Sequence, residues 1–360
     1  MERFVCGTKI ISGPGATETL GELDAKRVLV VTDSFFYENG TAAEVGKKTE
    51  AEAVEIFHRV VPDPGLELAA EGTAKVRDFH PDLIVALGGG SAMDCAKAMK
   101  YFSGSKATFV AIPTTSGSGS EVTDFAILTH DGVKHPLVDE SLRPDVAILD
   151  GEFLEKLPRG LIADSGFDVL AHALEALAAT GAGSITDALA TDAFCKAFGK
   201  LLRSYNGDIS VRQEIHMAAT MAGMAFTQAG LGLCHALAHA LGGAFHVPHG
   251  RLNAILLPAV VEANASAASH KYAELARMAG LGGSVDTIAL RNLRNGLVRL
   301  RRELELPETL AQAGVKITEL RQKRDAIVAA ALADPCCKTN PVAVDAALAG
   351  RILDAVAGHG

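Results

Sequence analysis

Four of the twelve histidines in the chain lie between residues 235 and 249, in the segment GLCHALAHALGGAFHVPHG. His235 and His239 are four residues apart and so share one face of a helix, whereas His246 and His249 follow a Gly-Gly break. Burying several imidazole rings without partners costs free energy, which a bound cation largely removes. The cluster therefore predicts a metal site, with core histidines satisfied by carbonyl groups as the alternative.

A second helical pair supplies a carboxylate. The segment DVLAHALEA places Asp168 and His172 four residues apart, again on one helical face. One carboxylate together with three imidazoles forms a donor set that suits Fe²⁺ or Zn²⁺. The two segments together therefore predict a site for a divalent metal ion.

A glycine-rich turn follows the apolar run DLIVALGGG. Gly88, Gly89 and Gly90 precede Ser91, which opens a helical segment. Glycines at such a junction let backbone N–H groups approach a phosphate at the positive end of a helix. The segment is neither GxGxxG nor a Walker A loop. It favours phosphate binding about as much as a simple capped turn between strand and helix.

A second polar turn, IPTTSGSGSEVT, ends the next apolar run. It contains Thr114, Thr115 and Ser118. Two flexible turns at the carboxyl ends of neighbouring parallel strands form the crevice in which α/β sheets bind ligands. The pair of turns therefore predicts a dinucleotide site.

Asp33 ends the first strong strand pattern, in VVTDSFF. A carboxylate at that point accepts hydrogen bonds from a ribose 2′-hydroxyl and repels a 2′-phosphate. Asp33 therefore favours NAD over NADP, and its alternative role is to cap the following helix.

Two kinds of element must position these residues. Short apolar runs alternate with helical patterns as far as Pro158, which predicts a doubly wound α/β dinucleotide-binding domain over residues 1–158. From Arg159 onward alanine and leucine dominate with helical periodicity, which predicts an all-helical metal-binding domain over residues 159–360. The predicted strands are RVLVVTD (27–33), AVEIF (53–57), DLIVALGGG (82–90), TFVAIPTT (108–115) and DVAILD (145–150), and one or two more precede them at the N-terminus.

Composition excludes several functional classes. The 360 residues carry a formal net charge of −9 without a basic run, which argues against nucleic-acid and anionic-membrane partners. The stretch from Ile215 to Gly250 lacks Asp, Glu, Lys and Arg, but histidines, Pro248 and glycines interrupt it, so no membrane span is expected.

The ends and the cysteines bear on the cellular compartment. The N-terminus lacks the pattern of a secretory signal, and the six cysteines show no CxxC spacing. These features predict a cytoplasmic protein, in which Cys336 and Cys337 form either a redox pair or two buried thiols.

In their order, and over nearly the whole chain, these motifs resemble the iron-containing (group III) alcohol dehydrogenases. The segments that carry the resemblance are GGGSAMDCAK, IPTTSGSGSEVT, GFDVLAHALEA and GLCHALAHALGGAFHVPHGRLNAILLP. Within the family, GGGSAMD, KHPL and AGMAFTQAGLGLCHALAH are similar to the 1-propanol dehydrogenases of propanediol-degrading microcompartments. The resemblance implies an NAD- and metal-dependent enzyme that interconverts small primary aliphatic alcohols and aldehydes. It also implies a homodimer, association with a bacterial microcompartment and an active site in the cleft between the two domains.

The resemblance also assigns roles by position. The metal ligands would be Asp168, His172, His235 and His249. His239 would lie near the nicotinamide, where we expect it to relay a proton, and His246 would be a supporting or structural residue. The implied cofactor contacts are Gly89, Gly90 and Ser91 to the pyrophosphate with Asp94 nearby, Thr114 and Thr115 to adenine and ribose, and Lys134 to the nicotinamide ribose.

Two other functions remain as alternatives. A metal- and NAD-dependent lyase of the dehydroquinate-synthase kind needs several basic residues for its anionic substrate, but the metal segment has only Arg251 at its edge. A non-catalytic metal-binding protein would leave the glycine turns and Asp33 unexplained. Four phenylalanines near the motifs predict an apolar pocket that suits small aliphatic alcohols: Phe125, Phe167, Phe226 and Phe245.

Overall fold

The structure is a computed structural model that describes residues 4–130 and 133–358. The described residues divide into two compact units, one formed by Val5–Leu157 and the other beginning at Pro158 and including Phe4. The strands are β1 (Lys9–Ser12), β2 (Arg27–Asp33), β3 (Ala53–Val60), β4 (Leu83–Gly88), β5 (Thr108–Pro113), β6 (Phe125–His130), β7 (Val133–Val138) and β8 (Val146–Leu149). The helices of the first unit are α1 (Ser34–Glu38), α2 (Thr41–Lys48), α3 (Leu66–Phe79) and α4 (Gly90–Ser103).

The first unit is built on a parallel sheet of six strands in the order β1-β8-β5-β4-β2-β3. Alternate residues of each central strand face opposite sides. Leu29 packs with residues of α3 and α4, whereas Val30 packs with residues of α2 and of the 3-10 helix Ala16–Leu23. Helices therefore cover both faces, which explains why the strands are apolar throughout. The predicted doubly wound α/β fold is confirmed.

The chain reverses its direction across the sheet between β2 and β4. From β2 it first moves outward to β3, and then crosses over to β4 on the other side of β2. In open α/β sheets the carboxyl ends of strands at such a reversal form the ligand crevice. Asp33 ends β2 and Gly88 ends β4, so both residues lie at this edge of the sheet.

A β-hairpin was missing from the strands that we predicted. β6 and β7 pair antiparallel, with Phe125 opposite Val138 and Thr129 opposite Lys134. The sequence carries a signal for this hairpin, since Asp131 and Gly132 stand between the two alternating runs. The hairpin places Lys134 in a strand.

In its described residues the second unit contains helices and connecting turns but no strand, as predicted. Its helices are α5 (Arg159–Ala178), α6 (Ser184–Tyr205), α7 (Arg212–Ala229), α8 (Leu233–Phe245), α9 (His249–Ala263), α10 (Ala265–Met278), α11 (Asp286–Glu303), α12 (Ile317–Ala333) and α13 (Ala346–Ala357). The uncharged stretch 215–250 is divided between α7, α8 and the first residues of α9. Among the described residues, no helix combines the length and hydropathy that crossing a bilayer requires.

Candidate active site

The helix α5 presents a carboxylate and an imidazole to the interior of the second unit. Asp168 and His172 lie one turn apart and are 7% and 5% exposed. Oδ1 of Asp168 lies 3.9 Å from Nε2 of His172. The ring of Phe226, from α7, stacks on His172 with a centroid distance of 4.5 Å. One side of the pair is therefore covered by an aromatic ring.

The helices α8 and α9 bring two further imidazoles to the same oxygen. His235 lies in the first turn of α8, and His249 is the first residue of α9. Their Nε2 atoms lie 3.6 Å and 3.4 Å from Oδ1 of Asp168. Gly250 makes this approach possible, because a Cβ atom at that position would lie 1.9 Å from the carbonyl oxygen of Asp164 in α5.

These spacings fit a bound metal ion. Bonds of about 2.0–2.2 Å from a tetrahedral metal to nitrogen and oxygen place neighbouring donors about 3.3–3.6 Å apart. The three nitrogens lie 3.4, 3.6 and 3.9 Å from the carboxylate oxygen, longer than ordinary hydrogen bonds and close to the tetrahedral edge. The donor set of one oxygen and three nitrogens suits Fe²⁺ or Zn²⁺.

The surroundings of Asp168 also keep its carboxyl group ionised, as cation binding requires. Burial alone would raise the pKa of Asp168, but the neighbouring imidazoles of His172, His249 and His235 lower that pKa well below its usual range. The carboxyl group therefore stays ionised, as a metal ligand must be.

Glu175 orients His235 from the side opposite the donor set. Its Oε2 lies 2.6 Å from Nδ1 of His235, and its carboxylate also accepts from the backbone N–H groups of Cys234 and His235, at 2.7 and 3.2 Å. A proton held on Nδ1 leaves the Nε2 lone pair for a metal. Burial would lower the pKa of His235, but the neighbouring carboxylates of Asp168 and Glu175 raise it to about 9, so a metal ion must displace the proton on Nε2 when it binds.

Asn253 is a part of this centre that the sequence analysis did not identify. It is fully buried in α9, and its amide nitrogen donates to Oδ1 of Asp168 over 2.7 Å. The same nitrogen lies 3.3 Å from Nε2 of His235 and 3.2 Å from Nε2 of His249. Its spacing supplied a signal, because Asn253 follows His249 by four residues on one helix.

His239 lies beside the donor set. Its ring stacks on that of His249 with a centroid distance of 5.1 Å, and its Nδ1 lies 2.8 Å from Oδ2 of Asp334. Burial would raise the pKa of Asp334, but the hydrogen bond and charge of His239 lower it to about 2. An ionised carboxylate at Nδ1 fixes the orientation of the ring, as a general acid–base group requires.

His246 lies apart from these residues. It is exposed and ends α8 in the left-handed conformation (φ 55°), which indicates a structural role.

The glycine turn in the first unit joins β4 to α4. Gly88 has a φ of +153°, and a Cβ atom there would lie 2.6 Å from that of Ala92. Gly89 is the N-cap residue of α4, and a Cβ atom on Gly90 would lie 3.1 Å from that of Ser118. The lack of side chains leaves the first backbone N–H groups of a 14-residue helix open to an anion.

The second polar turn is held against α4 by two charged side chains, one partly buried and one fully buried. Asp94 accepts from the hydroxyl of Ser120 over 2.7 Å and from the backbone N–H of Ile127 over 3.1 Å. Lys97, which is 0% exposed, donates to the carbonyl oxygens of Thr123 and Phe125. Asp94 and Lys97 therefore position the turn that contains Thr115 and Ser118. Burial lowers the pKa of Lys97 to about 8, against the opposing charge of Asp94.

The remaining predicted cofactor residues belong to the six-stranded sheet and its loops, except Lys134, which lies in the separate hairpin. Thr114 donates its backbone N–H to the carbonyl of Gly88 over 3.0 Å. The Asp33 carboxylate caps α1 by accepting a hydrogen bond from the N–H of Phe36 over 3.1 Å.

Lys134 forms an ion pair with Asp63 at 2.7 Å, and the N–H of Asp63 donates a hydrogen bond to the hydroxyl of Ser91. The interaction of Asp63 with both predicted contacts was not foreseen from the sequence.

Comparisons with known proteins agree over nearly the whole chain. The family model described as "Iron-containing alcohol dehydrogenase" matches residues 7–151, and "Fe-containing alcohol dehydrogenase family, C-terminal" matches residues 162–356. The chain is 38% identical to the 1-propanol dehydrogenase PduQ of Citrobacter freundii over 98% of this chain and 99% of that protein. It is 37% identical to the NADPH-dependent butanol dehydrogenase of Clostridium saccharobutylicum, over 95% and 94%. The iron-containing alcohol dehydrogenase structure from Thermococcus thioreducens superposes with a TM-score of 0.91, at 33% identity and 98% and 99% coverage.

Proposed function

Because the chain belongs to the iron-containing alcohol dehydrogenase family, we propose that it interconverts small primary aliphatic alcohols and aldehydes with NAD(H), and that propanal and 1-propanol are substrates. The observation that carries this proposal is that Nε2 atoms of three imidazoles, His172, His235 and His249, lie 3.4–3.9 Å from Oδ1 of Asp168. Asp168, His172 and His235 also place their donor atoms within 4.8 Å of one another.

The four donor residues would hold Fe²⁺, with Zn²⁺ as the alternative. A cation bound there supplies Lewis acidity toward an alcohol or carbonyl oxygen, and a bound nicotinamide supplies or accepts the hydride. Asp168 contributes a permanent negative charge, and Glu175 holds His235 in the tautomer that can coordinate. His239, oriented by Asp334, moves the proton between the substrate oxygen and solvent.

Small aliphatic substrates are favoured by the surroundings of the donor set. Phe226 is 5% exposed and stacks on the metal-ligand candidate His172. An aromatic wall at this position packs against an alkyl chain and offers no partner for further hydroxyl groups. The names of the propanol and butanol dehydrogenase relatives agree with this substrate size.

The lyase alternative finds little support in the same region. An anionic substrate needs an available cationic side chain near the metal. Arg251 is committed to Asp164, to which its guanidinium donates two hydrogen bonds of 3.1 and 2.9 Å. This pairing supports the alcohol dehydrogenase over an enzyme that must hold a phosphate or carboxylate there.

The cofactor and the assembly are part of the proposal. Asp33 supports NAD, whereas the butanol dehydrogenase relative is named as NADPH-dependent, so the preference has to be measured. The sequence resemblance supports a homodimer, a cytoplasmic location and association with a bacterial microcompartment. Light scattering of the purified protein tests the dimer directly.

The experiment is a substrate panel on anaerobically purified, iron-loaded enzyme, followed through NADH absorbance. We expect NADH oxidation with propanal and butanal, and none of these activities after metal removal. The variant His249→Ala should lose bound metal and activity together. The variant His239→Ala should keep its metal but turn over slowly. Full metal in His249→Ala, or no activity with any aldehyde or alcohol, would refute the proposal.

A further inference from the structure

A second group of metal-ligating side chains lies next to His239. A ring nitrogen of His239, a carboxylate oxygen of Asp334 and Sγ of Cys336 all lie within 4.8 Å of one another. They come from α8, from the end of α12 and from the 3-10 helix Pro335–Thr339. The side chains of His239 and Asp334 are 25% and 16% exposed, so a small ion can reach them from solvent.

The backbone fixes the carboxylate at the centre of this group. Asp334 caps the 3-10 helix, since its Oδ1 accepts from the N–H of Cys336 over 2.8 Å. Its Oδ2 faces His239 at 2.8 Å. The thiol of Cys336 lies within 4.8 Å of this carboxylate. Two donors with exchangeable protons, an imidazole and a thiol, thus converge on one anion.

We propose that His239, Asp334 and Cys336 form a second metal site that binds Zn²⁺ and thereby inhibits the enzyme. Nitrogen, oxygen and sulfur donors together match Zn²⁺, with water as the fourth ligand of a tetrahedron. Binding releases the thiol proton to solvent, and the Nδ1 proton of His239 moves to its Nε2, so that Nδ1 and the thiolate both coordinate.

The second site shares no donor with the first. The first uses Asp168, His172, His235 and His249, all of which contribute oxygen or nitrogen. The second lies on the Nδ1 side of His239, whose ring stacks on His249. A cation bound by both Nδ1 and Asp334 fixes that ring and breaks its hydrogen bond to the carboxylate. The inhibitory part of the inference therefore rests on the proposed function of His239, whereas the binding part does not.

Cobalt titration tests the binding part without any substrate. Coordination of Co²⁺ by a thiolate gives an intense near-ultraviolet charge-transfer absorption, which oxygen and nitrogen ligands do not give. We expect the reduced, metal-stripped full-length protein to show this band with a second equivalent of Co²⁺. Cys336→Ser should lose the band and the second equivalent.

The matched control is Cys337→Ser. The neighbouring thiol of Cys337 lies 3.0 Å from the carbonyl oxygen of Ala331, outside the group, so this variant should keep the band. Cys336→Ala serves as a second variant if serine at position 336 alters the circular dichroism spectrum. No band in the unmodified protein, or a band that persists in both Cys336 variants, overturns the site.

Inhibition of the iron-loaded enzyme by brief exposure to Zn²⁺ tests the second part. Exchange of Zn²⁺ for the iron would affect every variant alike, so the comparison is between the two cysteine variants. We expect the concentration for half-inhibition to rise at least tenfold in Cys336→Ser and to stay unchanged in Cys337→Ser. Equal sensitivity of the two variants overturns the inhibitory role. Loss of all alcohol dehydrogenase activity would instead concern the proposed function, because the cobalt band does not depend on turnover.

Discussion

The amide nitrogen of Asn253 lies 2.7 Å from Oδ1 of Asp168, the oxygen toward which the imidazole nitrogens of the centre point. The carboxylate is thus oriented by a donor from the same helix that carries His249. A buried amide in this position limits the rotation of Asp168 before any metal binds.

Replacing Asn253 by leucine should therefore weaken metal binding. Loss of a partner that orients a ligand costs about 10–100-fold in metal affinity. Competition with a chelator of known affinity measures the effect. Asn292→Leu is the control, because that amide donates to the carbonyl of Leu281 on another part of the unit. Equal affinities in the two variants would show that Asn253 only fills space.

Removal of the metal should lower the thermal stability of the protein. A ligand at about 100 times its Kd stabilises the folded state by about 2.7 kcal/mol, which corresponds to roughly 5–10 °C in Tm. Calorimetry is the suitable measurement, because the chain contains no tryptophan. His249→Ala provides the comparison, and its Tm should not respond to Fe²⁺. A similar response in both proteins would contradict the assigned ligand set.

Replacing Asp33 by serine should shift the cofactor preference toward NADPH. Serine can still accept the N–H of Phe36 and so keeps the cap on α1, but it removes the charge that repels a 2′-phosphate. We expect the ratio of kcat/KM for NADH over NADPH to fall at least about tenfold, equivalent to about 1.4 kcal/mol. An unchanged ratio would leave Asp33 with its capping role alone.

The buried ammonium of Lys97 predicts a pH dependence of stability. Its pKa is about 8 in the folded protein and about 10.4 when exposed, so between these values the unfolded chain binds the proton that the folded chain has lost. The free energy of unfolding, relative to that of Lys97→Met, should therefore rise by about 1.4 kcal/mol per pH unit in this range.

Urea unfolding at several pH values between about 8 and 10 measures this slope. Lys106→Met is the control, because it removes an exposed lysine from the same unit. A flat difference for Lys97→Met would mean that the buried amine keeps its proton throughout the range.

Most of the correct predictions relied on the spacing of residues within one strand or one helix. Apolar runs identified β2, β4 and β5, and the interval of four residues placed Asp168 with His172 and His235 with His239 on shared helical faces. Contacts between distant segments are different, because periodicity carries no information about them. The partner of His239, Asp334, lies 95 residues further along the chain.

Two residues of the candidate active site were not predicted, although each lies one helical turn from a predicted ligand. Glu175 follows His172 by three residues on α5, and Asn253 follows His249 by four residues on α9. Both are buried polar groups that satisfy other buried polar groups. A search for amides and carboxylates one turn away from each candidate ligand would have found them.

The contact between Gly250 and Asp164 makes the geometry of the metal-ligand candidates sensitive to a substitution at a residue that is not a ligand. A hydrogen atom in place of a methyl group lets α9 touch the backbone of α5 at the point where His249 begins its helix. Alanine at position 250 would force the two backbones apart and carry one imidazole away from the others. Substitution of this glycine by alanine would keep all four ligand candidates in the sequence but should abolish metal binding and activity. A search of the sequence for ligand residues alone would not reveal this loss of activity.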